Sequence, residues 1–281
     1  MILSQKEVNL HTHSFYCKHG SGTIAEYVAQ AEKDGLKVLG FSEHCPLPDR
    51  EFCKGERMDY PELPLYERDV LQAKKNSNIH ILLGAECDVV PGEESFYKDD
   101  LLGRRGYDYI SCAIHNMIDP NTGKNTYFGR ISAMTTKMLR EYVDLYTSGL
   151  ASGMFLFGCH PDLVFAGYKK WDDNAKAASL DIIRCAKQYN MPLEINDYGL
   201  RKPEIETEEG RRHAYPLRRF WELAAEEGVC TITNSDAHRA IDVAAHRIKA
   251  DEFAASLGIE LASYEIDQNG KIKIVKGGAV C

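Results

Sequence analysis

The sequence lacks the signals that would place it in several large protein classes. No run approaches the ~20 apolar residues that a membrane helix needs. The first residues, Met1-Ile2-Leu3-Ser4-Gln5-Lys6-Glu7, lack the apolar stretch of a secretion signal. The nine cysteines include no Cys-x-x-Cys pair, which excludes ribbon and finger spacings for zinc. These absences predict a reduced, cytoplasmic protein whose cysteines are mostly small buried hydrophobes. No cysteine is followed six positions later by arginine, and no Asp-x-Asp pair occurs, so two covalent phosphatase mechanisms lack their nucleophile loops. There is no Gly-x4-Gly-Lys-Ser/Thr loop to cradle a nucleotide. A basic excess is also missing. The formal charge of -8, from 34 Lys+Arg against 42 Asp+Glu, argues against a nucleic-acid partner. No membrane partner is expected.

What is present is an alternation of short apolar runs and amphipathic stretches over 281 residues. The runs read as strands at Val8–His13, Val38–Ser42, Ile79–Glu86, Asp108–His115, Met154–His160, Pro192–Asn196 and Val229–Asn234. Between them, Thr23 and Glu26 form a capping box for a helix that ends at Gly35. Further helices are expected at Leu65–Lys75, Ile131–Thr147, Asn174–Tyr189, from Pro216 as first helical residue to Gly228, and at Asp242–Leu257. The tail Ser263–Val275 reads as a hairpin turning on Asp267-Gln268-Asn269-Gly270. Strand–helix alternation means parallel strands with right-handed crossovers. No linker divides the chain, so residues 1–281 are expected to form one barrel-like α/β domain.

Six of the seven runs stop on residues that bind metals: His11 and His13, His44, Glu86, His115, His160, and Asp236 with His238. Barrels of this kind place their chemistry at the C-terminal ends of the strands. Alternate residues of a strand point to one side, so His11 and His13 can share an ion, as can Asp236 and His238. Singly, His115 and His160 would fit satisfied core positions equally well, and the case rests on repetition. A lone buried carboxylate is costly, so Glu86 either pairs with an arginine or bridges two ions, sharing its oxygens as imidazole cannot. His19, in the loop Cys17-Lys18-His19-Gly20, and His44 are weaker members by position alone. The nitrogen and oxygen donor set suits Zn, Mn, Fe or Co and needs no thiolate. Adjacent ions of this type generate hydroxide at neutral pH, suited to attack on phosphorus.

The stretches His11-Thr12-His13, Ser42-Glu43-His44, Gly84-Ala85-Glu86, Ala113-Ile114-His115, Gly158-Cys159-His160-Pro161-Asp162 and Ser235-Asp236-Ala237-His238 resemble the PHP (polymerase and histidinol phosphatase) superfamily. Phe15-Tyr16-Cys17-Lys18-His19, the segment from Cys45 to Met58, Glu194-Ile195-Asn196 and Gly199-Leu200-Arg201 resemble its histidinol-phosphate phosphatase branch. The resemblance implies a distorted, TIM-barrel-like seven-stranded (β/α) barrel and three divalent metal ions per chain. It assigns His11, His13, Glu86 and Asp236 to one ion, Glu86, His115 and His160 to a second, and His19, His44 and His238 to a third. The implied reaction is hydrolysis of a small phosphorylated amino alcohol, L-histidinol phosphate, in histidine biosynthesis. A bridging hydroxide would attack phosphorus, with Glu86 and Asp236 holding the ions.

Asp162 is the candidate acid for the leaving group, although it fits a helix cap after Pro161 as well. Arg201 is the first choice for phosphate, since arginine suits bidentate contact, against the alternative of a solvated surface residue. Lys169, Lys170 and Asn116 follow. Phe15, Tyr16 and the Cys45–Met58 loop could receive the substrate's cation. Rival readings are a PHP phosphoesterase for a nucleotide, phosphotyrosine or nucleic-acid end, a metal-dependent amidohydrolase, and a metal-binding regulatory domain.

Overall fold

The computed structural model describes residues 1–48, 55–131 and 134–281. Its first strands are β1 (Ile2–Leu3), β2 (Val8–Asn9), β3 (Val38–His44), β4 (His80–Asp88) and β5 (Tyr109–Ala113). β2 to β5 pair in sequence order as a parallel sheet, in the register Val8↔Val38, Val38↔His80 and Gly84↔Tyr109. Helices α1 (Ile24–Lys33) and α2 (Leu63–Asn76) form the first crossovers. The Thr23–Glu26 capping box stands as expected. A short antiparallel hairpin, β6 (Asn116–Ile118) with β7 (Asn125–Tyr127), precedes α3 (Thr136–Ala151) and α4 (Asp173–Gln188).

The parallel wall continues past β5 through extended chain. Gly158 makes one parallel bridge to Cys112 and another to Leu193, which opens β8 (Leu193–Asn196). The strand expected at Met154–His160 is therefore not a regular ladder. It is bounded by Gly153 (φ +71°) and by His160 (φ +28°), which leaves few residues in register on both sides. The short helix α5 (Asp197–Arg201), the exposed hairpin β9 (Ile205–Thr207) and β10 (Gly210–Arg212), and α6 (Arg218–Glu227) lead to β11 (Thr231–Asn234), which pairs in parallel with β8. A parallel bridge from Thr12 to Ala237 joins the end of this last run to the first. The architecture is an α/β fold with a curled parallel sheet.

Other element bounds also moved, each for a local reason. The first strand leaves its ladder after Asn9, because the Asn9 side chain bonds Ser235, the Val243 carbonyl and the His11 N–H instead. α3 begins five residues later than the spacing suggests, at the Thr135 cap, after a 3-10 turn at Phe128–Arg130; residues 132–133 lie outside the described residues. Pro216 precedes α6 instead of opening it: Leu217 is the N-cap and Arg218 the first helical residue, while Gly228 ends the helix with φ +69° as expected. The final helix is shorter than Asp242–Leu257. Two 3-10 turns precede α7 (Lys249–Ser256), since Asp242 is drawn back to Arg239 and Arg201.

The tail closes the base of the wall. β12 (Ser263–Ile266), β13 (Ile272–Lys276) and β14 (Ala279–Val280) extend an antiparallel sheet from β1. Leu3, Tyr264, Ile272 and Ile274 of this sheet share one apolar cluster with Val38, Leu82, Tyr109 and Ile232 of the wall. Gly40 and Gly84 leave room for the Tyr109 ring, which a Cβ at either position would strike. The expectation of uniformly reduced cysteines fails at one place. Cys230 and Cys281 form a disulfide across 51 residues, while Cys17, Cys45, Cys87, Cys112 and Cys159 are buried thiols. Among the described residues no helix is long and apolar enough to cross a membrane.

Candidate metal centre

The nine expected ligands arrive at one rim of the wall. Glu86, fully buried, is the hub. Its Oε1 lies 2.8 Å from His160 Nε2, 3.2 Å from His115 Nε2 and 3.4 Å from His11 Nε2. Its Oε2 lies 2.8 Å from His44 Nδ1 and 3.4 Å from His13 Nε2. Asp236 Oδ1 is 3.2 Å from His13 Nε2 and 3.6 Å from His11 Nε2. The His238 ring stacks on His13 with centroids 4.6 Å apart, and its Nε2 is 3.0 Å from His19 Nε2. The compact triads are His11–His13–Asp236, His44–Glu86–His115 and His13–His44–His238. His44 thus stands between groups that the sequence reading kept apart. Cys17 and Cys159 enter two further triads. Burial pushes the Cys17 thiol up to about 12 and Cys159 well above its ordinary value, so neither is a thiolate at neutral pH.

Carboxylates behind the ring orient it, and the sequence reading missed their role. Glu194 Oε1 takes His11 Nδ1 at 2.7 Å and also accepts from Asn234 Nδ2, while its Oε2 accepts from the His160 N–H. Asp88 holds His115 Nδ1 at 3.2 Å and is paired with Arg57 at 2.8 Å. Glu43 accepts from the Ser14 N–H and hydroxyl and lies 3.8 Å from His13 Nδ1. Backbone carbonyls do the same for His19 and His238. Engaging one ring nitrogen frees the other for an ion. The available signal was a charged residue inside an apolar strand: Glu43, Asp88 and Glu194 all interrupt such runs.

The donor set fits divalent ions. His11 Nε2, His13 Nε2, His44 Nδ1, Glu86 Oε2 and Asp236 Oδ1 are buried and have no hydrogen-bond partner. Unsatisfied buried polar atoms are costly, and here they converge. His160 (φ +28°) and Asp236 (φ +46°) carry left-handed backbone, a strain that persists where surrounding structure enforces it. Burial works against charge on Glu86, yet His115, His11 and His44 hold its pKa well below the usual range. Burial, then the charge of His13, keep His44 and His238 well below theirs. Burial opposes charge on His115 as well, but Glu86 and Asp88 push it up to about 10. Carboxylates that favour a proton on imidazole favour any cation in its place.

Above the rim opens a cavity of about 490 Å³. His19, His44, His115, His160, Asp236 and His238 line it together with Arg57, Arg130, Tyr198, Lys202 and Tyr215. The residues expected to bind substrate sit elsewhere. Arg201 is held by Asp197 at 2.7 Å, Asp242 at 3.0 Å and the Ser235 carbonyl. Lys170 pairs with Asp172, Lys169 is exposed, and Asn116 lines a separate groove with Met117 and Ile118. Asp162 Oδ2 accepts from the Leu217 N–H and from Trp221 Nε1, tying the His160 loop to α6. Burial pushes its carboxyl up to about 7 despite these donors. Tyr16 is buried and bonded to Asp69, and Phe15 is exposed; residues 49–54 of the Cys45–Met58 loop lie outside the described residues.

Comparison with known proteins gives consistent results. The family model described as "PHP domain" matches residues 9–198. A Deinococcus radiodurans protein named probable histidinol-phosphatase is 30% identical over 233 residues, covering 82% of this chain and 85% of that one. A solved structure of a histidinol phosphatase candidate from Listeria monocytogenes covers 84% of this chain and 97% of its own, with a TM-score of 0.67 at 20% identity. The Lactococcus lactis histidinol phosphate phosphatase, solved with zinc, L-histidinol and phosphate, has a TM-score of 0.63 at 17% identity, covering 98% and 99% of the two chains. Motif order, rim geometry and the match over residues 9–198 agree: this chain belongs to the PHP domain family.

Proposed function

We propose that the chain is a histidinol-phosphate phosphatase, hydrolysing L-histidinol phosphate to L-histidinol and phosphate in histidine biosynthesis. The observation that carries the reading is the convergence of unpartnered buried nitrogen and oxygen atoms around Glu86 at the floor of an open cavity. The 30% identity to a protein named for this reaction supports the substrate. We read the wall as seven staves, counting the bridged segment around Gly158, in one domain spanning 1–281.

Three divalent ions are assigned, to His11, His13, Glu86 and Asp236, to Glu86, His115 and His160, and to His19, His44 and His238. Bound there, such ions supply Lewis acidity and an activated water. The chain's own part is positioning. Glu194 and Asp88 fix the His11 and His115 rings, and Glu86 spans two sites. Basic side chains at the cavity wall hold phosphate oxygens and spread charge as the ester bond breaks.

A substrate panel on metal-reconstituted protein tests the proposal. L-Histidinol phosphate, tyrosine phosphate, a nucleotide and a phosphodiester are compared by kcat/KM. Histidinol phosphate is expected to lead, and a nucleotide or diester in first place overturns the assignment.

A further inference from the structure

The cavity is ringed by cationic side chains, and most of them are already committed. Arg57 pairs with Asp88 at 2.8 Å and donates to the Cys45 carbonyl. Arg130 pairs with Glu56 at 3.0 Å. Arg201, just behind the wall of the cavity, is shared between Asp197 and Asp242. Lys202 differs from all of these. Among the described residues no carboxylate lies within ion-pair distance of its ammonium, and Asp236 attracts it only from farther away. Among the described residues its ammonium donates one hydrogen bond, to the Tyr215 hydroxyl at 3.1 Å.

The ammonium is nevertheless well located. It rests 4.1 Å from the centre of the Tyr198 ring and 5.4 Å from that of Tyr215. Both rings are tied to the metal rim. Tyr198 stacks on His238, with centroids 4.6 Å apart and an interplanar angle of 18°; Tyr215 meets His160 edge-on at 5.9 Å. Gly199 lets α5 close onto Tyr215, since any Cβ there would strike the Tyr215 carbonyl. Arg201 clamps the other side of α5 and donates to the carbonyl of Ser235, next to Asp236. The lysine therefore sits at a fixed distance from the rim. A half-buried ammonium with three donors and one neutral protein partner has donors left over for an anion entering the cavity.

The geometry points to Lys202, held between Tyr198 and Tyr215, as the grip on the phosphate oxygens that do not face the metal rim. That grip selects dianionic monoesters over diesters. The inference rests on the phosphatase reading above and names the element that sets its substrate class. A monoester presents three terminal oxygens and two charges, so one oxygen remains for Lys202 after the rim is engaged. A diester has one charge fewer and carries a second substituent that would meet the tyrosine pair. Arg201, one residue earlier, is a positioning residue that holds α5.

The test is Lys202→Met in the full, metal-loaded chain. Readouts are kcat/KM for L-histidinol phosphate and p-nitrophenyl phosphate, turnover of bis(p-nitrophenyl) phosphate, and the inhibition constant of inorganic phosphate. Loss of one charge-assisted contact should lower both monoester values about tenfold to hundredfold and weaken phosphate inhibition similarly. Diester turnover should change by less than about threefold, metal content should hold, and Lys202→Arg should restore part of the loss. Monoester and diester rates falling together, or an unmoved phosphate constant, would overturn the inference. If the Met variant folds poorly, Lys202→Gln reads the same ratio. The p-nitrophenyl arm separates the two claims: a phosphate grip without histidinol phosphate preference keeps the lysine assignment and removes the substrate assignment.

Discussion

The two ends of the curled sheet treat buried polar groups in opposite ways. At the base, most of those described have a partner, His246 Nδ1 being an exception. Gln5 donates to the Ala262 carbonyl at 2.9 Å and accepts from the Thr233 N–H, and the Tyr109 hydroxyl reaches the Leu10 carbonyl at 2.6 Å. Apolar residues of the antiparallel tail seal that end, and the Cys230–Cys281 disulfide ties the last residue to it. At the rim, a dozen or so ångströms along the same strands on the usual rise per residue, several buried donor atoms of the candidate ligands have no hydrogen-bond partner and two residues carry strained backbone. The base stabilises the fold with its own atoms. The rim spends part of that stability and recovers it only when cations bind.

The largest expected break in this contrast is Glu86→Gln. It removes the charge at the hub while leaving the base untouched. Activity should fall about 10³-fold or more, on the scale of losing a principal electrostatic element, and bound metal per chain, read by elemental analysis, should drop for two sites together. Full activity with unchanged metal would remove Glu86 as the bridge. Glu194→Gln should do less. Its amide still touches His11 but no longer enforces one tautomer, so metal affinity should fall about tenfold to hundredfold, with the melting temperature of metal-free protein little changed. A variant that loses stability but keeps its metal affinity would make Glu194 a structural residue only.

The same contrast explains what could be read from residues alone. The convergence of candidate ligands at one rim was legible because the requirement is local: a donor at the end of an apolar run, with period-two spacing at His11/His13 and Asp236/His238. Parallel α/β organisation was legible from the alternation of runs and helices. Arg201 was chosen and its neighbour Lys202 passed over, since nothing local separates two adjacent cationic residues. Their fates depend on Asp242, which arrives from the far side of β11, and on the rotation of a five-residue helix. Glu194 behaves similarly, since its partners Asn234 and His11 are distant in sequence. The disulfide joins cysteines 51 residues apart, with no spacing motif to announce it. Gly40 and Gly84 look like strand weaknesses until Tyr109 is seen lying against both.

The smallest expected effect on activity, and the sharpest probe of the base, is His246→Gln. His246 is fully buried, and its Nε2 donates to the Gln5 carbonyl at 3.2 Å. Burial, helped by the charges of Arg247 and Arg201, lowers its pKa to about 4. An unfolded histidine titrates near 6.5. Above that pH both states are neutral and the contribution of the buried imidazole is complete. As pH falls from about 6.5 towards 4 the unfolded chain takes up a proton that the folded chain refuses, so stability is lost, by roughly 3 kcal/mol in all. Below about 4 both states are protonated and the loss levels off. Other ionisable groups also contribute to the pH dependence of stability, so the measurement is the difference between wild type and variant, both stripped of metal, in denaturant unfolding across that range. Glutamine can still donate to Gln5 but does not titrate, so the difference should slope with pH while kcat of the metal-loaded enzymes stays equal. A flat difference would mean that the base histidine is no more shielded from protons than a histidine in water, and the division between a sealed base and a cation-dependent rim would fail at its base.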